Sequence, residues 1–218
     1  MGKERMISIS YAILACNEYK ELHKLLTVLA PKLLPNDEIV VVLDTDNVTD
    51  NVKALCKDFS ASPNFHYYYG HLNNNFADHK NFLNSKCTKD WIFNIDADEY
   101  PNEVLIDNIH SILEANNSVD IIAVPRINKV LGLTDDHVIK WGWKTDEHKR
   151  VNWPDFQYRI YKNSEYIKWE GKLHEKPTGF KVSSSLPHDV EDFALIHIKT
   201  IERQEKQNAL YSSIRNKK

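Results

Sequence analysis

The run Asp90-Trp91-Ile92-Phe93-Asn94-Ile95-Asp96-Ala97-Asp98-Glu99 places three carboxylates within four residues, directly after a block of large apolar side chains. Closely spaced carboxylates repel one another unless a cation lies between them, and hard divalent cations prefer carboxylate oxygen. Asp96 and Asp98 flank a single residue, and in an extended segment such a pair points to one side. The chemistry this predicts is a Mg²⁺ or Mn²⁺ site. The plainer reading is a solvated acidic turn, or carboxylates that only cap the following helix.

The elements around this run favour the metal site. Residues 6–14 read as a first strand, followed by Ala15-Cys16-Asn17-Glu18 and by Leu22, Leu25, Leu26 and Leu29 at helical spacing, with Asn17 as the expected N-cap. Glu38-Ile-Val-Val-Val-Leu43 is a continuous apolar run, the pattern of a strand covered on both faces in a parallel sheet. It ends at Asp44-Thr45-Asp46-Asn47. Phe65 to Tyr69 is a third strand, Phe76 to Cys87 a helix, Trp91 onward a fourth strand, and Asp120 to Val124 a fifth. This β-α alternation predicts an α/β fold with a largely parallel sheet and helices on both faces. Parallel strands share the direction of their C-terminal ends, where ligands bind in open α/β sheets. Asn17, Glu18, Asp44, Asp46, Asp96 and Asp98 are therefore expected on one edge, with His79 and Lys80 beside them.

A nucleotide fits that edge, its diphosphate bridged to the protein by the metal. Asp44 can accept hydrogen bonds from a base or ribose, while Asp96 and Asp98 hold ribose and metal. A late histidine can complete the metal shell. His197, at the end of a strand read over Asp192 to His197, is the candidate, with His174 the alternative. Either also reads as an ordinary hydrogen-bonded histidine.

The second half is less regular. Residues 125–154 read as a long excursion carrying Trp141, Trp143 and Trp153, which either form a platform for a ligand or pack the excursion onto the sheet. Phe156 to Tyr161 and Tyr166 to Trp169 read as short antiparallel strands, and Thr200 to Ile214 as a polar helix. With no repeat or low-complexity linker, the 218 residues read as one domain, 1–124 forming a first half and 125–218 a second.

Composition narrows the partners. A net charge of −3 gives no general attraction to nucleic acid, and six glycines argue against a Gly-rich phosphate loop. Three dispersed cysteines without metal-like spacing predict reduced thiols, as in a cytoplasmic protein. No apolar run is long enough to span a membrane, and Met1 to Met6 resembles neither a signal peptide nor a myristoylation site.

Four elements in order then resemble the family 2 glycosyltransferases of the GT-A fold. They are the strand ending in Asn17-Glu18, Val41-Val-Leu-Asp44-Thr-Asp46, the pair Lys80-Asn81, and the strand ending in Asp96-Ala97-Asp98. The likeness covers about residues 6–124, the nucleotide-sugar half. The second half is similar to a bacterial and phage subgroup in which an Arg-hydrophobic-Tyr/Phe strand precedes a Gly turn and a His-Glu pair, here Arg159-Ile-Tyr161, Gly171 and His174-Glu175. The resemblance implies a GT-A sheet with a smaller antiparallel acceptor-side portion. It implies a nucleotide-sugar donor, most simply UDP-linked, held with Mn²⁺ or Mg²⁺ by Asp96, Asp98 and His197. It also implies Glu175 as base in an inverting transfer, in place of the family's usual Glu-Asp motif, and places Lys199 and Arg203 within reach of the diphosphate. The acceptor is a glycan, lipid, protein or modified nucleobase.

Two other classes share some of these features. Val40 to Val48 resembles the nucleophile motif of haloacid-dehalogenase-type phosphatases, with Asp44 as nucleophile and Asp46 as acid-base, although that motif normally lies on the first strand. A non-catalytic Ca²⁺- or sugar-binding module is the other. Neither acidic segment has the Gly and later Glu of an EF-hand loop.

Overall fold

The computed structural model describes residues 6–216. The first five residues, on which the leader reading falls, and the last two lie outside the described residues. The elements are β1 (Ile9–Ala15), α1 (Tyr19–Leu29), β2 (Glu38–Asp44), α2 (Asp50–Phe59), β3 (Phe65–Gly70), α3 (Phe76–Asn84), β4 (Trp91–Asp96), β5 (Glu99–Pro101), α4 (Glu103–Ala115) and β6 (Ile121–Val124). They continue with β7 (Arg126–Leu131), α5 (Asp135–Trp141), β8 (Gln157–Lys162), β9 (Lys168–Glu170), β10 (Lys176–Thr178), β11 (Ser183–Ser185), β12 (Leu195–Thr200) and α6 (Ile201–Asn216).

Seven strands form the main sheet in the order β11-β6-β8-β4-β1-β2-β3. Its β3-β2-β1-β4 portion is parallel. All seven residues of β2 are buried, because alternate side chains enter two different cores. Ile39, Val41 and Leu43 join the leucines of α1 and the apolar faces of α2 and α4. Val40 and Val42 join Ala77 and Leu83 of α3 and Trp169 of β9 on the other face. Period-two alternation against helices on both sides explains why this strand reads as an unbroken apolar run.

The N-terminal edge of the sheet is tied by acids used structurally. Asp37 accepts from the Ile9 and Leu34 amides at 2.9 and 3.0 Å. Glu38 accepts from the Ser10 hydroxyl at 2.6 Å and the Thr88 amide at 2.7 Å. The acids at the opposite edge lie along a cleft.

Several expectations are corrected. Asn17 does not cap α1; Glu18 precedes the helix, and its carboxylate accepts the Cys16 and Asn17 amides at 2.8 and 2.9 Å. α3 stops at Asn84 rather than Cys87, and the last strand begins at Leu195 after a 3₁₀ turn at Glu191–Phe193. Residues 125–154 are not structureless: they contain β7, α5 and a bridge between Thr145 and Val151. The stretch beginning at Phe156 is an antiparallel strand as expected, and β8 lies inside the main sheet between β4 and β6, antiparallel to both. β5, β12 and β7 form a separate three-stranded sheet beside the cleft.

Gly179 is required by backbone crowding. Its φ is +83°, and a Cβ there would lie 1.7 Å from the Tyr166 carbonyl oxygen. Gly179→Ala is expected to destabilise the protein by at least about 2 kcal/mol, a drop in Tm of roughly 4–8 °C for a chain of this size. A calorimetric Tm equal to that of the wild type would contradict this account.

Candidate active site

A cleft of about 1160 Å³ runs along the C-terminal edge of the parallel strands. The ends of β1, β2 and β4 bring Asn17, Asp44, Asp96 and Asp98 to it, α3 brings His79 and Lys80, and β12 brings His197 and Lys199. Glu175 lines it from the turn before β10, and Gln204, Gln207 and Tyr211 of α6 close one side.

The two carboxylates of the Asp-x-Asp unit meet different partners. β4 ends at Asp96, and the turn that follows carries Asp98 elsewhere. Arg159, at 2% exposure, enters from β8 and forks onto Asp96, with Nη1 3.0 Å from Oδ1 and Nη2 hydrogen-bonded to Oδ2. The same Nη2 reaches Glu99 at 2.8 Å, and Glu99 also accepts from Arg126 at 2.6 Å. Burial alone would raise the Asp96 pKa, but the charges of Arg159, Lys80 and Arg126 outweigh it and hold the carboxyl far below the usual range.

Asp98 faces His197 instead. Its Oδ2 lies 3.2 Å from His197 Nε2 and 3.4 Å from Arg203 Nη2. Burial opposes ionisation here too, and the hydrogen bond and charge of His197, with Arg203 beyond, keep the carboxyl ionised to lower pH than usual. Lys199 lies alongside, with Nζ bonded to Gln207 at 2.8 Å. Burial lowers its ammonium pKa to about 8, against the opposing pull of Asp98.

The Asp98–His197 pair suits a divalent cation. Two donors on adjacent corners of an octahedral Mg²⁺, each about 2.0–2.1 Å from it, stand roughly 3 Å apart, close to the separation observed. Among the described residues no group of three or more His, Cys, Asp or Glu gathers at one metal position. The remaining ligands would come from a bound substrate and water, the usual arrangement for Mg²⁺ bound with phosphates.

Asp44 is 4% exposed and accepts from Asn47 Nδ2 at 2.8 Å and the Leu72 amide at 3.2 Å. Asp46 does not line the cleft; it is exposed and bonds His71 at 3.1 Å. This arrangement disfavours the phosphatase alternative, which needs Asp44 free to attack and Asp46 beside it. Glu18 uses one oxygen on backbone amides and the other, at 3.5 Å, on Arg203. Lys80 pairs with Glu175 at 2.7 Å, its ammonium 4.1 Å from the Trp169 ring centroid. Asn81, the other half of the basic-Asn pair, bonds the Trp169 amide and carbonyl at 2.9 and 2.8 Å and so pins β9 to α3. His174 lines the cleft with its ring 5.5 Å from that of Tyr211; His197 is the histidine that meets Asp98. Trp143 lines the cleft and packs on Trp141 at 4.7 Å, while Trp153 packs under Arg150 at 4.4 Å, away from the lining.

Sequence reasoning gave no role to Glu99, Arg126, Asn128 or Asp155, all tied into this network. Asp155 accepts from Arg126 at 2.6 and 2.9 Å and from Asn128 at 2.6 Å. The available signal was the arginines, each lying on a short strand among apolar neighbours, where a buried charge demands a carboxylate.

The model of glycosyl transferase family 2 matches residues 10–203, and the chain belongs to that family. Among solved structures, S. aureus TarS residues 1–349 superimposes with a TM-score of 0.61 at 15% identity, covering 88% of this chain and 60% of that one. Its complex with UDP-GlcNAc gives 0.62 at 16% identity, covering 88% and 59%, and its complex with UDP gives 0.61 at 16%, covering 88% and 60%. The likeness establishes an α/β fold of the GT-A kind. The chain spans about 60% of the length of these neighbours. No curated protein sequence matches the chain.

The role of Arg159 can be tested directly. Arg159→Met leaves Asp96 and Glu99 without their shared partner, at an expected cost of about 3–5 kcal/mol. The Asp96 and Asp98 pKa values are depressed in the folded protein. The stability they contribute is therefore present above the unfolded value of 3.8 and lost as pH falls through the folded values. The variant loses this depression at Asp96, so its acid-unfolding midpoint, followed by near-UV circular dichroism in EDTA, should shift to higher pH. An unchanged midpoint would refute the pairing.

Proposed function

We propose that the chain is a metal-dependent glycosyltransferase that moves a sugar from a nucleotide-sugar donor, most simply UDP-linked, to an acceptor hydroxyl with inversion. The observation that carries this reading is the Asp98–His197 pair, 3.2 Å apart at the head of the cleft and flanked by Lys199 and Arg203. A carboxylate and an imidazole among cations fit a metal–diphosphate unit better than a free sugar. UDP as the nucleotide rests on family membership and on the UDP and UDP-GlcNAc complexes of the TarS neighbours.

In this reading Asp98 and His197 hold Mn²⁺ or Mg²⁺, which when bound supplies Lewis-acid stabilisation of the leaving diphosphate. Lys199 and Arg203 add positive charge at the same place. Asp96, fixed by Arg159, presents its remaining lone pairs to the ribose, and Asp44 and Asn17 line the path of the base. Glu175 takes the acceptor proton, with Lys80 fixing the carboxylate, and the hydroxyl attacks the anomeric carbon from the face opposite the diphosphate. The acceptor, a glycan, lipid, protein or modified nucleobase, enters past Trp143 and Tyr158. Residues 1–124 serve mainly the donor and 125–218 mainly the acceptor, with His197 and Lys199 crossing to the donor side. A cytoplasmic setting fits the three free cysteines, and no helix among the described residues is long and apolar enough to cross a membrane.

UDP with Mn²⁺ is expected to raise Tm, and at a hundred times Kd the stabilisation is about 2.7 kcal/mol. Asp98→Asn should remove the metal-dependent part of that shift. No metal-dependent stabilisation by any nucleoside diphosphate would sink the proposal. Glu175→Gln should lower kcat by roughly 10²–10⁴-fold while leaving the Kd for UDP–Mn²⁺ near that of the wild type; wild-type turnover in this variant would remove Glu175 as the base.

A further inference from the structure

His197 lies in the middle of a row across the small sheet. Glu99 of β5 is its partner on one side and Asn128 of β7 on the other. Asn128 Oδ1 stands 2.8 Å from His197 Nδ1, and Asn128 Nδ2 stands 2.6 Å from Asp155 Oδ2. The order of donors in this chain follows from chemistry alone. Asp155 receives Arg126 at 2.6 and 2.9 Å on that same oxygen and Gln157 at 2.8 Å on the other, so it is an ionised acceptor. A carboxylate only accepts, so the amide NH₂ of Asn128 must face it and the amide oxygen must face the imidazole. An amide oxygen also only accepts, so Nδ1 of His197 must carry the hydrogen.

We infer that Asn128, oriented by Asp155, is a positioning residue that keeps hydrogen on Nδ1 of His197 and turns Nε2 towards Asp98, where a divalent cation would take the place of the Nε2 hydrogen that this carboxylate accepts in the metal-free protein, the proton leaving to solvent. The inference rests on the metal-site reading above. It adds Asp155 and Asn128, which touch neither donor nor metal, as the groups that hold the imidazole in the tautomer and ring orientation a cation needs. Outer hydrogen-bond partners of this kind orient a histidine ligand and raise its basicity, and their loss typically weakens metal binding 10–100-fold. Arg126 links this chain to the other carboxylates, since it bridges Asp155 and Glu99.

The test compares Asn128→Leu, which removes the acceptor, with Asn128→Thr, whose hydroxyl can accept from Nδ1 and donate towards Asp155. Mn²⁺ binding in the presence of UDP is measured by electron paramagnetic resonance, and UDP binding without metal by calorimetry. Asn128→Leu should weaken Mn²⁺ binding about 10–100-fold with metal-free UDP affinity unchanged, while Asn128→Thr should lose clearly less. If Asn128→Leu binds Mn²⁺ as the wild type does while His197→Ala has lost it, the inference is overturned. Equal losses in both Asn128 variants, each folded by circular dichroism, overturn it in favour of simple packing. If His197→Ala and Asp98→Asn also leave Mn²⁺ binding unchanged, the metal site itself has failed. ¹⁵N spectra of the metal-free protein read the Asn128 contact separately: an Nδ1 hydrogen on His197 that is held in the wild type and lost or shifted in Asn128→Leu supports that contact, and a bare Nδ1 in the wild type overturns the inference.

Discussion

Arg159 lies between Asp96 and Glu99 at 2% exposure, and the geometry of the site follows from that contact. Ionised side chains are expensive to take out of water and stay charged in a protein interior only when paired. Asp96, Glu99 and Asp155 are answered by Arg159 and Arg126. Asp98 falls outside this internal neutralisation and meets only His197 and a partly exposed Arg203. Both aspartates line the cleft, Asp96 held by a guanidinium and Asp98 by an imidazole, so the motif works asymmetrically. A site with a single carboxylate and an imidazole keeps room for substrate oxygens around a cation, which a closed cage of carboxylates would not.

The parallel half of the fold was readable because its signals are local. Continuous apolar runs such as Ile39 to Leu43, followed by helical leucine spacing, need no knowledge of distant partners. Strand-end chemistry followed from direction alone, which is why Asp44, Asp98 and Lys80 reach one cleft as expected. Asp46 departs because two residues past the strand end the chain has already turned outward to His71. The helix starts one residue later than expected, so Glu18 takes the N-cap position, and its carboxylate turns back to the Cys16 and Asn17 amides instead of capping the first turn.

What was not legible depends on pairing across long stretches of chain. A short strand such as β8 carries the same alternation whether it runs parallel or antiparallel, so its insertion between β4 and β6 has no signature in its own residues. β7 is harder still. Its ladder partner is β12, and its buried residues Ile127 and Val130 are three apart rather than two, so its three polar and three apolar residues do not alternate as a half-buried strand should. Asn128 therefore looks like a loop residue until His197, far along the chain, is set beside it.

The last helix shows the same reliance on polar contacts. Over residues 201–212 α6 is mainly polar, and such a helix is held largely by charge and hydrogen bonds. Its attachments at the cleft are the Lys199–Gln207 bond, the edge-on contacts of Tyr211 with Phe76 and His174, and the pairs of Arg203 with Glu21, Asp98 and Glu18. The arginine side chain is 30% exposed, and partly exposed ion pairs contribute little individually and are weakened by salt. One of those pairs uses Asp98 itself. Under the proposed metal site, a cation at Asp98 would compete with Arg203 for the same oxygen, so occupancy of the site and attachment of this helix would draw on one shared charge.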